Sequence, residues 1–175
     1  MMSDTGTYVS LDVKAVSDTG EFEGYASTYA VDQGNDAVLP GAFAKSLATR
    51  PAGRIKMLRD HDPRQLIGQW TDAKEDDRGL WVKGRLLLDV AAAKEAYVLL
   101  KAGALDGLSI GFRSIRDRWD SAKKVRFLEE VDLREISLTA FPMNESAAVQ
   151  AVKNEEFAQR VVAAINRAHA RIRAA

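Results

Sequence analysis

Short segments of alternating polar and apolar residues, closed off at brief intervals by turn residues, hold this chain to a fold built mainly from β-strands. Residues 8–16 set Tyr8, Ser10 and Asp12 against Val9, Leu11 and Val13, the two-residue period of a strand. The turn Ser17-Asp18-Thr19-Gly20 leads into residues 21–29, which predicts a hairpin. Residues 32–36 read as a loop from their turn-forming composition. Further strands are expected over residues 55–58 and 66–73, flanking Asp60-His61-Asp62-Pro63, and over residues 79–88, 108–118, 125–130 and 133–141. Helical spacing appears in three places. A short helix is expected over residues 42–48, after Pro40-Gly41, with Phe43 and Leu47 four apart on one face. A second carries Val90, Ala93, Tyr97 and Leu100 and ends near Gly103. The third, over residues 154–173, has an apolar stripe of Phe157, Val161, Ala164, Ile165, Ala168 and Ile172. Asn154 can cap it, Glu155 and Glu156 sit at its positive end, and Arg167, Arg171 and Arg173 sit at its negative end. The expected class is therefore α+β, mainly β: a barrel or sandwich wrapped by helices. A doubly wound sheet fits less well, because strands and helices do not alternate.

At 175 residues the chain is expected to form one domain. A domain of about 150 residues buries roughly 70% of its unfolded surface, enough for a core without covalent staples. There is no cysteine, which excludes disulfides, thiolate zinc sites and a cysteine nucleophile, and suits a reducing compartment. Twenty-five basic and 25 acidic residues cancel, so the bulk attraction that generic nucleic-acid binding requires is missing. Residues 1–10 are polar and lack the apolar stretch of a secretory signal. The apolar runs at 86–88 and 98–100 are cut by Asp89 and Lys101, far short of the roughly 18–20 residues that span a bilayer. The expectation is a soluble intracellular protein with no membrane or nucleic-acid partner, no cofactor and no metal.

Two histidines are available as a base. His169 lies among Arg167, Arg171 and Arg173 on the terminal helix, where a solvated surface position is the ordinary reading. His61 lies in a turn between two expected strands, where loops tend to carry functional side chains, although a turn histidine can equally be structural. Gly107-Leu108-Ser109-Ile110-Gly111 has the form G-x-S-x-G, which in α/β-hydrolases marks a strand-to-helix elbow exposing a serine. Here Ile110, Phe112, Ser114, Ile115 and Trp119 follow, and they do not read as a helix. The chain is also short for that fold. The glycines still matter, because a backbone bare of side chains allows a substrate close to Ser109. A serine hydroxyl needs an adjacent base, and a third polar group fixes the tautomer of that base. The candidates for the third position are Glu129, Glu130, Asp132, Glu135, Asp60 and Asp62. Glu135 stands out because it interrupts the apolar segment 133–141, and a carboxylate is costly to bury unless paired. The alternative is a strand residue facing outward.

Several landmarks occur in a fixed order: Gly24-Tyr25-Ala26-Ser27, then Leu39-Pro40-Gly41-Ala42-Phe43, then Asp60-His61-Asp62. Gly107-Leu108-Ser109-Ile110-Gly111-Phe112 follows, then Leu133-Arg134-Glu135-Ile136-Ser137-Leu138-Thr139, and Phe141-Pro142-Met143-Asn144 with Ala147. In this order, over roughly residues 8–150, the chain resembles the prohead maturation proteases of tailed bacteriophages, which are related in fold to the herpesvirus assemblins.

The resemblance implies a closed antiparallel β-barrel surrounded by helices, with a serine protease domain over residues 1–150. Residues 151–175 would form a C-terminal helix of the same domain or a docking tail. It implies a serine endopeptidase with His61, Ser109 and Glu135 as catalytic residues. Assemblins have a second histidine where this chain offers Glu135, so a carboxylate must substitute. The implied substrate is a capsid protein or its scaffold segment, and the enzyme itself, inside the assembling prohead in the host bacterial cytoplasm, with a homodimer as a further possibility. Backbone N–H groups near Met143 and Asn144 are the expected oxyanion donors. Two other readings share these residues: a non-catalytic capsid-assembly or scaffold component of the same fold, and a small serine esterase.

Overall fold

The computed structural model describes residues 16–150. The strand expected over residues 8–16, except for Val16, and the terminal helix with His169 lie outside the described residues. After a turn in which the Gly20 N–H donates to the Ser17 carbonyl at 2.9 Å, the chain enters β1 (Glu21–Thr28). Phe22 and Ala26 of β1 are buried, as the two-residue period requires. Then come β2 (Asp36–Val38), α1 (Ala44–Thr49), β3 (Lys56–Arg59), β4 (Asp62–Glu75) and β5 (Gly79–Leu86). The second helix, α2 (Ala91–Lys101), precedes the long hairpin of β6 (Gly107–Asp120) and β7 (Val125–Thr139), and β8 (Val149–Gln150) ends the described chain.

All eight strands join one sheet in the order β2-β7-β3-β4-β5-β1-β8, with β6 on the other edge of β7. The sheet curls into a half-barrel, and the expectation of a closed antiparallel barrel needs two corrections. The named strands leave the sheet open, since β2 and β8, at the two ends of its path, do not pair with each other. Pairing is also mixed: β2 and β3 both run parallel to β7. Parallel neighbours need a long crossover, and the stretch from β4 to β6, α2 included, supplies one for β3. The two strands expected over 125–130 and 133–141 are one strand, and β2 starts at the last residue of the loop expected over 32–36 and runs into residues given no element, three residues being too few to show a period.

The buried apolar side chains form one cluster. Phe22 meets Trp70 edge-on with ring centroids 5.5 Å apart, and Met57, Ile67, Leu80, Leu108 and Ile136 are fully buried around them. Side chains of this kind contribute about 1.5–3 kcal/mol each on burial. α2 lays Ala93, Ala96 and Leu100 against this core and stops just before Gly103, as its spacing predicts. Among the described residues, no helix is long and apolar enough to cross a membrane.

Candidate active site

β7 organises the site because it pairs on both edges. On one edge Ser109 of β6 lies opposite Ser137, and Gly111 lies opposite Glu135. On the other edge the parallel pairing sets Lys56 of β3 against Glu135 and Arg59 against Leu138. Between Gly111 and Phe112 the β6–β7 register slips, leaving Arg134 as an extra residue on β7. A bulge of this kind resets the alternation. Leu133 and Ile136 can then both be buried, and Glu135 turns onto the face that carries Ser109.

His61 arrives from the end of β3. Arg59 pairs with Asp62, so Asp60 and His61 form a two-residue connection to β4, with φ of 51° and 59°. Positive φ at both centres is the arrangement of a tight hairpin turn, where asparagine and glycine are usual. Holding a non-glycine residue there costs about 1–2 kcal/mol. The Asp60 N–H donates to the Leu138 carbonyl at 3.0 Å, and the His61 N–H donates to Ser137 Oγ at 3.1 Å. The strained turn is thus pinned to β7.

The three side chains singled out in the sequence meet. His61 Nε2 is 2.9 Å from Ser109 Oγ, and His61 Nδ1 is 2.5 Å from Glu135 Oε1. With the proton on Nδ1 donated to the carboxylate, Nε2 is left to accept from the serine hydroxyl, which satisfies both contacts with one tautomer. Glu135 Oε2 accepts a further bond from Ser137 Oγ at 2.7 Å. Ser109 and Ser137 are buried, and the Glu135 side chain is only 13% exposed, whereas His61 is 43% exposed. The hydrogen bond that His61 donates to Glu135 raises the His61 pKa above its ordinary 6.5; burial opposes the shift, and the charges of Glu135 and Asp60 add to it.

The other five carboxylates considered for the third position are engaged elsewhere. Asp60 pairs with Arg59, Asp62 with Arg64, Glu129 with Arg116 and Arg118, Glu130 with Lys45, and Asp132 with Arg50 and Arg134. Among the described residues, no group of three or more His, Asp or Glu side chains has the arrangement of a metal site.

The two glycines of G-x-S-x-G have roles that the sequence did not show. A Cβ on Gly111 would lie 1.9 Å from Glu135 Oε1, and one on Gly107 would lie 2.6 Å from the Thr139 carbonyl and 2.7 Å from Pro142. The bare backbone at Gly111 therefore admits the carboxylate rather than a substrate. Ser109 sits within β6, not on a strand-to-helix elbow. A cleft beside it is lined by Ala26, Val38, Ile110, Leu128, Met143 and Asn144. Asn144 is fixed there by Thr28: its Nδ2 donates to the Thr28 carbonyl at 3.1 Å, and its Oδ1 accepts from Thr28 Oγ1 at 3.0 Å. Ser137 was not singled out as a site residue, although polar residues at 135, 137 and 139 on an otherwise apolar strand were a readable signal.

The chain matches the sequence model of the caudovirus prohead serine proteases over residues 9–160. The prohead protease of Enterobacteria phage HK97 is 33% identical over 154 residues, spanning 83% of this chain and 68% of that protein. In fold it resembles the capsid assembly protease of bacteriophage T4, with a TM-score of 0.57, 14% identity, and coverage of 70% of this chain and 82% of the other. It also resembles KSHV protease solved with a hexapeptide phosphonate inhibitor, with a TM-score of 0.53, 14% identity, and coverage of 74% and 63%. The family match over most of the chain, the relative at one-third identity and the shared fold agree: this chain belongs to the caudovirus prohead serine protease family and is a serine protease of viral capsid maturation.

Proposed function

We propose that Ser109 is the nucleophile of an endopeptidase that cuts scaffold or capsid-protein segments, and itself, within the assembling prohead. The observation that carries this is the unbroken hydrogen-bonded line from Ser109 Oγ through the His61 ring to Glu135. A non-catalytic assembly component would have no need of it. Ser109 Oγ attacks the peptide carbonyl carbon as its proton passes to His61 Nε2, and the carbonyl oxygen takes up negative charge. Collapse of the tetrahedral species breaks the C–N bond, and His61 returns the proton to the leaving amine. Water then releases the acyl group by the same route. Glu135 orients the imidazole and stabilises its cation. The developing oxyanion would be met by backbone N–H groups near Met143 and Asn144, a reading supported by their place in the same cleft as Ser109. Such donors are worth about 3–4 kcal/mol each in the transition state.

Co-expression with the capsid protein of the same virus, followed by intact-mass analysis, tests the reading. Cleavage products that disappear in Ser109→Ala are expected. A wild-type serine that reacts with a fluorophosphonate while capsid protein stays intact would favour the esterase. Gly111 gives a separate prediction. Gly111→Ala drives a methyl group into the position of the Glu135 carboxylate, and a displacement of about 1 Å in such a constellation costs roughly 10²-fold. The rate of Ser109 phosphonylation by a fluorophosphonate is expected to drop by about that factor.

A further inference from the structure

We infer that Ser137 is a positioning residue of the reaction, a single hydroxyl that fixes both the anion and the backbone on which the His61 imidazole depends. The inference rests on the triad reading above. Ser137 is completely buried, and its Oγ donates to Glu135 Oε2 at 2.7 Å while accepting from the His61 N–H at 3.1 Å. The first bond occupies the carboxylate oxygen that His61 does not use, so the carboxylate is held at both ends and its plane cannot swing away from Nδ1. The second closes the turn at its most strained point. The parallel β3–β7 ladder delivers its last backbone rung at Asp60, whose N–H reaches the Leu138 carbonyl at 3.0 Å. One residue later, at φ 59°, the His61 N–H finds the serine hydroxyl instead. Ser137 also lies directly opposite Ser109 across β6–β7, so a single rung carries the nucleophile and the group that aims its base. A side chain that orients the partner of a reacting group in this way commonly matters by one to two powers of ten.

The test is a double-mutant cycle read by the second-order rate of Ser109 phosphonylation with a fluorophosphonate, with thermal midpoints recorded for each variant. Ser137→Ala is expected to lower the rate about 10- to 100-fold in the wild-type background. In the Glu135→Gln background its effect should shrink to the part carried by the His61 N–H bond, since the carboxylate it steadies is gone. An equal loss in both backgrounds, or no loss in either, would overturn the proposal. A measurement on the unaltered protein stands beside it: the His61 amide is expected to exchange with solvent at least about 100-fold more slowly than an open turn amide. Unprotected exchange there would also overturn it. A wild-type chain whose Ser109 is never phosphonylated would instead reject the triad reading, and this inference with it.

Discussion

Ser109→Ala, His61→Ala and the double variant are each expected to lose about 10⁵–10⁶-fold in kcat, and by nearly the same factor. The reason lies in the contact itself. A serine hydroxyl at neutral pH is nucleophilic only while its proton has somewhere to go, and Nε2 at 2.9 Å is the acceptor the structure provides. Removing the base leaves an unactivated hydroxyl, and removing the hydroxyl leaves a base with nothing to deprotonate. Once either is lost the other contributes nothing, so the effects cannot multiply. What survives is binding together with oxyanion stabilisation. Cleavage of capsid protein, followed by mass analysis over hours to reach low rates, measures all three variants. Losses that multiply in the double variant would mean the two residues act independently, against the proposed mechanism. None of the variants should be grossly destabilised. Ser109→Ala deletes one buried hydroxyl whose partner ring is open to solvent, and His61→Ala leaves a non-glycine residue in the same left-handed turn. Changes within about 1–2 kcal/mol are expected, readable as denaturant midpoints.

The chain announced some of this chemistry and concealed the rest, and the division follows the range of the interactions. His61 and Glu135 were legible as candidates, one from its turn and one from a carboxylate in an apolar segment, and the family resemblance chose them over their alternatives. The strand content was legible from a two-residue period that is purely local. That β3 lies parallel to β7 was not, because the pairing is made across four intervening elements and leaves no trace in the spacing of either strand. The bulge at Arg134 is hidden for the same reason. A register slip exists only relative to the partner strand, yet it turns Glu135 to the face that carries Ser109. Gly111 shows the limit most clearly. Its glycine was noticed, but the purpose assigned to it, access for substrate, belonged to a different occupant: the carboxylate of a residue 24 positions later.

Glu135→Gln is expected to lower kcat by about 10³–10⁴-fold while leaving the fold in place, and to move the acidic limb of the pH–rate profile to lower pH. The substitution keeps the shape but removes the charge and makes one terminal atom a donor. If the amide nitrogen takes the Oε1 position, it donates to Nδ1 and forces the ring proton onto Nε2, where it blocks acceptance from Ser109. If it takes the Oε2 position, it faces Ser137 Oγ, whose proton then has no acceptor there while the hydroxyl still receives the His61 N–H. The first placement breaks the line to Ser109; the second keeps it but loses the negative charge and the bond from Ser137 that steadies it. The pH shift follows from the causes of the raised His61 pKa. The bond and charge of Glu135 push it up, Asp60 adds to this, and burial pulls it down. Activity needs the neutral ring, so the wild-type rate should fall as pH drops through a value above 6.5. In Glu135→Gln the burial effect and the weaker Asp60 charge remain, and the limb moves down. Stability has the opposite sense. A folded pKa above the unfolded one adds stability that is complete below about pH 6.5 and is lost as pH rises through the folded value. The stability advantage of wild type over Glu135→Gln should therefore narrow as pH rises from about 6.5 through the raised folded pKa of His61. An acidic limb that stays fixed in the variant would show that something other than Glu135 sets the His61 pKa, and the carboxylate would lose its place in the mechanism.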